Sequence, residues 1–360
     1  MDTRGSKSAG NRRVTIKDVA AALNVAVSTV SNAYNRPDQL SPALRQRVFE
    51  TAERLGYPGP NPVARGLRRG TSGLIAILLG QPLAAAYADP ITAATLEGIT
   101  AALTESGRYG LVLVPSEPAG GLPAADGAIA LCPDRDDPLL TQVTRHGQPI
   151  VLVDHPQRGQ LAHIQVDDEM AARGAIGHLT GLGHTRIGII VDGLLGAAAP
   201  GIVSGEQRTE STISRTNARL RGYQAGAEAA GLNWARLPVY AAGADSIEAG
   251  QAGAEKILDT DPDLTAILAI TDRLAAGVLA AARSHEIRVP DRLSVVGFDD
   301  TPVARAANPP LTSVRQPHAA KGRAAAMALL AQLHSEPVPA VGRMAPKLVV
   351  RGSSAIPPAS

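Results

Sequence analysis

VTIKDVAAALNVAVSTVSNAYN, residues 14–35, is the stretch whose reading decides the architecture. Thr15 followed by Asp18 has the spacing of a capping box, which opens a helix by satisfying its first free N–H groups. Ile16, Val19, Ala20 and Leu23 then recur at helical spacing and give that helix one apolar face. Asn24 and Val25 supply a short turn, since asparagine tolerates left-handed backbone geometry. A second helix over residues 27–34 turns Val30 and Ala33 inward and leaves Val27, Ser28, Thr29, Ser31 and Asn32 on its outer side. Small hydroxyl and amide side chains make a poor core. They suit a helix laid in the major groove of DNA, where asparagine pairs with adenine and serine or threonine meets base edges or phosphate. Thr15 and Lys17 at the start of the first helix and Asn35 at the end of the second complete the candidate DNA contacts.

Working outward, Ser41-Pro42 starts a third helix with a serine cap and a proline in its first turn. Leu44, Val48, Ala52 and Leu55 line one side of it, and Gly56 ends it. Charge separates this head from the rest of the chain. Residues 1–70 hold 12 lysines and arginines against 5 acids, a net charge of +7, whereas residues 71–360 hold 23 against 28, a net charge of −5. A basic head on a mildly acidic body is the footprint of a nucleic-acid reader joined to a second module, although a solvated basic face alone gives the same balance.

At 360 residues the chain exceeds one compact core. A single cysteine, Cys132, excludes an internal disulfide framework and a cysteine-based zinc cluster. The first 18 residues have no apolar stretch behind their basic residues, so no secretory signal is read, and no run reaches membrane-spanning length. A cytoplasmic protein without membrane attachment is expected. The eight histidines form no H-x-x-x-H or H-E-x-x-H pair, and the scattered glycines lack phosphate-loop or dinucleotide spacing. Neither enzymatic activity, metal nor cofactor is expected.

From residue 71 short aliphatic runs alternate with alanine-rich helical stretches. Runs over 73–79, 111–114, 127–131 and 150–153, with a helix over 91–106, read as one β/α set. A second set follows, with helices over 169–180 and near 217–230 and runs over 187–191, 266–269 and 293–298. Such alternation implies parallel sheets flanked by helices on both faces. Residues 192–218, rich in Gly, Ala, Ser and Thr, read as a flexible loop.

The head motif, the third helix, LGYPGPNPVARGLRRG (55–70) and the run GLIAILL together resemble the LacI/GalR family of bacterial transcription regulators, along nearly the whole chain. The fold class implied is α/β, with an all-α helix-turn-helix head joined to a two-lobed, periplasmic-binding-protein-like core. The domains expected are a disordered basic tail at 1–12, the DNA-binding head at 13–59, a hinge helix at 60–70 and an effector-binding and dimerisation domain at 71–360. Two departures stand out. Ala26 replaces the hydroxyl cap of the recognition helix, a loss of about 1 kcal/mol, and the stretch before the hinge is one residue longer than the common pattern.

The hinge is too short to hold as an isolated helix, and Gly66 weakens it further. By resemblance it forms against its dimer partner and the DNA minor groove, with Leu67 wedged between central base pairs, Ala64 on the groove floor and Arg65, Arg68 and Arg69 on phosphates. The resemblance also implies a homodimer on a pseudo-palindromic operator; with no leucine-heptad tail, a tetramer is not expected.

Open α/β sheets bind ligands beyond the C-terminal ends of their strands. That rule selects Asp154, Thr271 with Asp272, and Asp299 with Asp300. The resemblance places Asp154, Arg219, Asp272 and Asp299 in an effector cleft, Gln316 and His318 at the crossover where it closes, and Tyr87 and Asp89 at its margin. For each aspartate the alternative is a helix cap after a strand. Carboxylates with an arginine suit a polyhydroxylated, sugar-like effector; only nine aromatic residues limit ring stacking. The expected function is repression relieved by that effector. The alternatives are ligand-dependent activation or corepression, and, more remotely, a solute-binding receptor without a DNA role.

Overall fold

The computed structural model describes residues 14–59, 71–118, 121–131, 137–155, 158–194, 199–203, 211, 214–339 and 343–358. The expected basic tail at 1–12 and the hinge with Ala64, Arg65, Leu67, Arg68 and Arg69 lie outside them. Two compact units are present, divided between Ser72 and Gly73.

In the first unit, α1 (Ile16–Leu23), α2 (Val27–Asn35) and α3 (Pro42–Leu55) enclose a small core of Val19, Ala20, Val30, Ala33, Val48 and Ala52. Asn24 takes the left-handed conformation with φ 51°, which bends the chain from α1 into α2. The Asp18 carboxylate accepts from the Thr15 N–H at 2.8 Å and hydroxyl at 2.7 Å. Ser41 Oγ accepts from the Leu44 N–H, and α2 begins at Ala26 with no side-chain cap. Tyr34 packs edge-on to Phe49 and Tyr57, which closes the open end of this small core.

The second unit holds two sheets. The first has the order β2-β1-β3-β4-β5, formed by β1 (Leu74–Leu79), β2 (Gly110–Val114), β3 (Gly127–Leu131), β4 (Ile150–Val153) and β5 (Ala162–Ile164), and is wholly parallel. Ile75, Ile77 and Leu79 feed the core on one face, Ala76 and Leu78 that on the other. Burial of both faces is why these strands are continuous apolar runs.

The second sheet has the order β12-β11-β10-β9-β6-β8-β7, comprising β6 (Ile187–Val191), β7 (Gly201–Val203), β8 (Val239–Ala241), β9 (Ala266–Ala269), β10 (Ser294–Asp299), β11 (Thr312–Arg315) and β12 (Lys347–Val349). The five inner strands are parallel, as expected, and one expectation, the loop over residues 192–218, is corrected. Both edge strands, β7 and β12, run antiparallel to their neighbours, a common way to finish a parallel sheet. Residues 192–218 are not wholly loop, since they contain β7 and the first turn of the helix Ser214–Ala229.

The helix His318–Leu333 returns to the first lobe, where Ala325 and Leu329 join its core. It lies against Pro90–Ser106 at backbone contact distance: a Cβ on Gly98 would sit 1.8 Å from Ala319 O, and one on Gly322 would sit 1.9 Å from Thr95 O. The second lobe repeats the device between Ile247–Thr260 and Asp272–Ser284, where Cβ atoms on Gly250 and Gly277 would meet Leu274 O at 2.3 Å and Ile247 O at 2.2 Å. Among the described residues no helix is long and apolar enough to cross a membrane.

Candidate functional site

The first site is the outer face of α2. Val27 is 42% exposed, Ser28 is exposed, and Thr29, Ser31 and Asn32 are half-buried. Thr15 and Lys17 are exposed at the start of α1. Asn32 Nδ2 donates to Gln39 Oε1 at 3.2 Å. Asn35 departs from expectation: its Nδ2 turns back onto Ser31 O at 2.9 Å and Ser31 Oγ at 3.2 Å, so that amide serves its own helix rather than the outer face.

The second site is a cleft of about 410 Å³ between the two lobes. Two strand ends frame it. Asp154 follows β4 with φ 54° and Asp299 ends β10 with φ 102°, so a carboxylate residue occupies the left-handed region in each lobe. Strain of this kind costs of order 1–3 kcal/mol and persists only where the surroundings enforce it. The surroundings here are ionic. Lys321, 1% exposed on the returning helix, pairs with Asp154 and donates to Gln316 Oε1 at 3.4 Å. Gln316 Nε2 in turn donates to Asp299 Oδ1.

Asp299 Oδ1 also accepts from Arg219 Nη2 at 3.2 Å. The Arg219 guanidinium is 2% exposed, donates through Nε to Asp168 Oδ1 at 2.8 Å and through Nη1 to Ile270 O at 2.6 Å, and lies 3.7 Å over the Phe298 ring. Burial opposes its charge, but Asp299 and Asp168 outweigh burial and hold it protonated above the ordinary arginine range. One polar chain, Asp154–Lys321–Gln316–Asp299–Arg219–Asp168, therefore crosses the cleft floor from lobe to lobe. At the mouth a second crossing pairs Arg273 with Asp89 at 3.4 Å and with Asp245 at 3.6 Å. Asp89 also caps the helix Pro90–Ser106 by accepting from Ile91 and Thr92.

Of the residues singled out in the sequence, Asp89, Asp154, Arg219, Asp299, Gln316 and His318 line this cleft together. Burial, then Lys321, lowers the His318 pKa, so its imidazole is neutral at neutral pH. Three residues are placed elsewhere. Tyr87 is 74% exposed at the end of the short helix Leu83–Ala88 and does not reach the lining. Asp272 is 1% exposed and faces the protein: it accepts from the Thr301 N–H and hydroxyl at 2.6 and 2.9 Å and from the Ser313 hydroxyl at 2.6 Å. Burial, then the charge of Asp299, raises its pKa to about 7. Thr271, not Asp272, caps the following helix. Asp300 is likewise enclosed, by Arg315 and Arg351 at 2.6 Å each.

Lys321, Asp168, Asp245 and Arg273 line the cleft without having been singled out. Asp168 had a signal in the acidic run Asp167-Asp168-Glu169, which reads as a cap. Asp167 alone does the capping, through the Met170 N–H, and its neighbour is released for Arg219.

Residues 15–61 match the family described as bacterial regulatory proteins, lacI family, and residues 176–354 match a periplasmic binding protein-like domain. An HTH-type transcriptional regulator of Mycobacterium tuberculosis is 35% identical over 97% of this chain and 98% of its own. The chain belongs to the lacI family of bacterial transcriptional regulators. The regulator IpsA of Corynebacterium glutamicum is 35% identical over 89% of this chain and 92% of its own. Among solved structures, the CelR–cellobiose complex superposes with TM-score 0.66 at 28% identity, over 95% of this chain and 100% of the other. This lacI-family chain thus shares its head, its two-lobed body and their order with known regulators.

Proposed function

We propose that this lacI-family regulator is a cytoplasmic repressor that binds a pseudo-palindromic operator as a homodimer and yields it when a small neutral, polyhydroxylated ligand occupies the cleft. Ser28, Thr29 and Asn32 on α2 read base edges, Lys17 holds a phosphate while the Thr15 N–H and hydroxyl stay committed to Asp18, and residues 60–70 form the hinge whose Leu67 parts the central base step.

The cleft lining carries the effector reading. It sets five carboxylates (Asp89, Asp154, Asp168, Asp245, Asp299) against four cations (Arg215, Arg219, Arg273, Lys321) and includes no Phe, Tyr or Trp among the described residues. A nearly balanced set of donors and acceptors favours hydroxyl groups, which both donate and accept, over an anionic ligand or one held by ring stacking. The CelR–cellobiose complex that this chain resembles points to the same class. The ligand shifts operator affinity only by as much as it prefers one lobe arrangement over the other.

The test uses the full-length chain. A thermal-shift screen of sugars, polyols, nucleosides and sugar phosphates is followed by operator binding with and without each hit. A neutral polyol that raises Tm and releases the operator is the expected result. Stabilisation by sugar phosphates or nucleosides alone, or equal binding to all duplexes, refutes the reading.

A further inference from the structure

The DNA-facing helix presents one asparagine amide outward, and a residue outside the helix holds it. Asn35, on the last turn of α2, is tied to Ser31. Asn32 reaches instead to Gln39, at the end of the single 3-10 turn Pro37–Gln39 that follows α2, with Nδ2 3.2 Å from Oε1. The backbone fixes both ends of this contact. The Arg36 N–H donates to Asn32 O at 2.8 Å, and the Gln39 N–H donates to Arg36 O at 3.0 Å, so the turn is folded back onto the carbonyl of the residue whose side chain it holds. Leu40, next in the chain, packs against the core of the unit.

An asparagine amide pairs with adenine through its carbonyl oxygen and one of its two N–H hydrogens, both lying in one plane. A free side chain has to find that plane and that rotamer as it binds, and loses rotamer freedom in doing so. An acceptor that takes the other hydrogen fixes the plane beforehand and leaves Oδ1 and the remaining N–H as a matched pair. We infer that Gln39 is a positioning residue for base readout: it orients the Asn32 amide for adenine without touching the base. This deepens the proposed function and rests on Asn32 being a base reader.

The test compares full-length wild type, Asn32→Ala, Gln39→Met, Gln39→Glu and the Asn32→Ala/Gln39→Met double variant. Each is titrated against a duplex selected from a random pool by the wild type, and against the set of its single-base changes, at several salt concentrations. Met keeps the length of Gln without the carbonyl; Glu keeps the acceptor. Asn32→Ala is expected to lose roughly 5- to 150-fold of preference at one base pair per half-site. Gln39→Met loses roughly 2- to 10-fold at that same base pair, the worth of one net hydrogen bond, with the other positions and the salt slope unchanged. The double variant is no worse there than Asn32→Ala alone. Gln39→Glu keeps the preference and weakens all duplexes alike through its charge.

A Gln39→Met protein that loses affinity uniformly, loses none, or sharpens the preference overturns the inference while leaving Asn32 in place. An Asn32→Ala protein with unaltered base preferences removes the base-reading role itself, and the positioning role with it.

Discussion

Arg219→Met isolates the ionic floor of the cleft. The substitution keeps an apolar stem of similar reach over the Phe298 ring but withdraws three donors, so Asp168 Oδ1, Asp299 Oδ1 and Ile270 O each lose one. Asp299 is 3% exposed, and the side chain of Asp168 is 12% exposed. Breaking a buried ion pair by removing one partner costs about 3–5 kcal/mol, because the remaining charge stays desolvated. At about 2–4 °C per kcal/mol for a unit of this size, Tm falls by roughly 6–20 °C at neutral pH. The sign of the pH dependence follows. Burial raises the Asp168 pKa and Arg219 opposes that rise, so without Arg219 this carboxyl binds its proton still more tightly in the folded than in the unfolded state; the variant regains stability as pH falls and its gap to wild type narrows towards pH 5. Asp168→Asn in the same background restores part of the loss. The assay is thermal unfolding of the full-length proteins between pH 5 and 8, with operator binding measured alongside at low temperature. A Tm drop of less than about 3 °C at pH 7, or a gap that widens on acidification, refutes the reasoning.

Other expectations follow from single contacts. Gly98→Ala forces a methyl onto Ala319 O at 1.8 Å and is expected to destabilise by about 1–3 kcal/mol, whereas Gly174→Ala, with nothing within 4 Å of its Cβ, stabilises by about 0.5–1 kcal/mol; Tm values of equal sign would show the helix contact to be slack. Asp272, with its pKa raised to about 7, makes the wild type lose stability as pH rises from about 4 to 7, since the unfolded chain releases that proton first. Asp272→Asn removes this slope, and urea midpoints that fall equally steeply with pH in both proteins contradict the assignment. Arg273→Gln cuts the crossing at the cleft mouth, where Arg273 is 37% and Asp89 15% exposed. Unfolding stability changes by less than about 1 kcal/mol while the lobes open, read as a larger radius of gyration in solution scattering; an unchanged radius argues against a closing role.

The strands that carry the fold were legible because burial on both faces leaves an uninterrupted aliphatic signature, as in Ile75 to Leu79. Three-residue strands such as β5, β7 and β12 are too short to show a period, which is why the sequence of β7 reads as loop. Strand ends located the cleft but not the direction of each carboxylate. Asp299 faces Arg219 and the cleft, whereas Asp272 faces Thr301 and Ser313, where Gly297 leaves room: a Cβ there would lie 2.6 Å from Asp272 Oδ1. Lys321 sits among alanines and glycines on an unremarkable helix. Its role depends on Asp154, 167 residues away, and no local pattern encodes that meeting.

The paired glycines at the helix contacts have a mechanical meaning. Where Pro90–Ser106 meets His318–Leu333, and where Ile247–Thr260 meets Asp272–Ser284, backbone rests on backbone with no intervening layer of rotamers to slip or repack. Each lobe is consequently a stiff plate. A displacement started by a small molecule at the strand ends is not absorbed inside either plate but passes to the chain crossings between the lobes, after β5, after β11 and before β12, which makes the body of this protein a lever rather than a cushion.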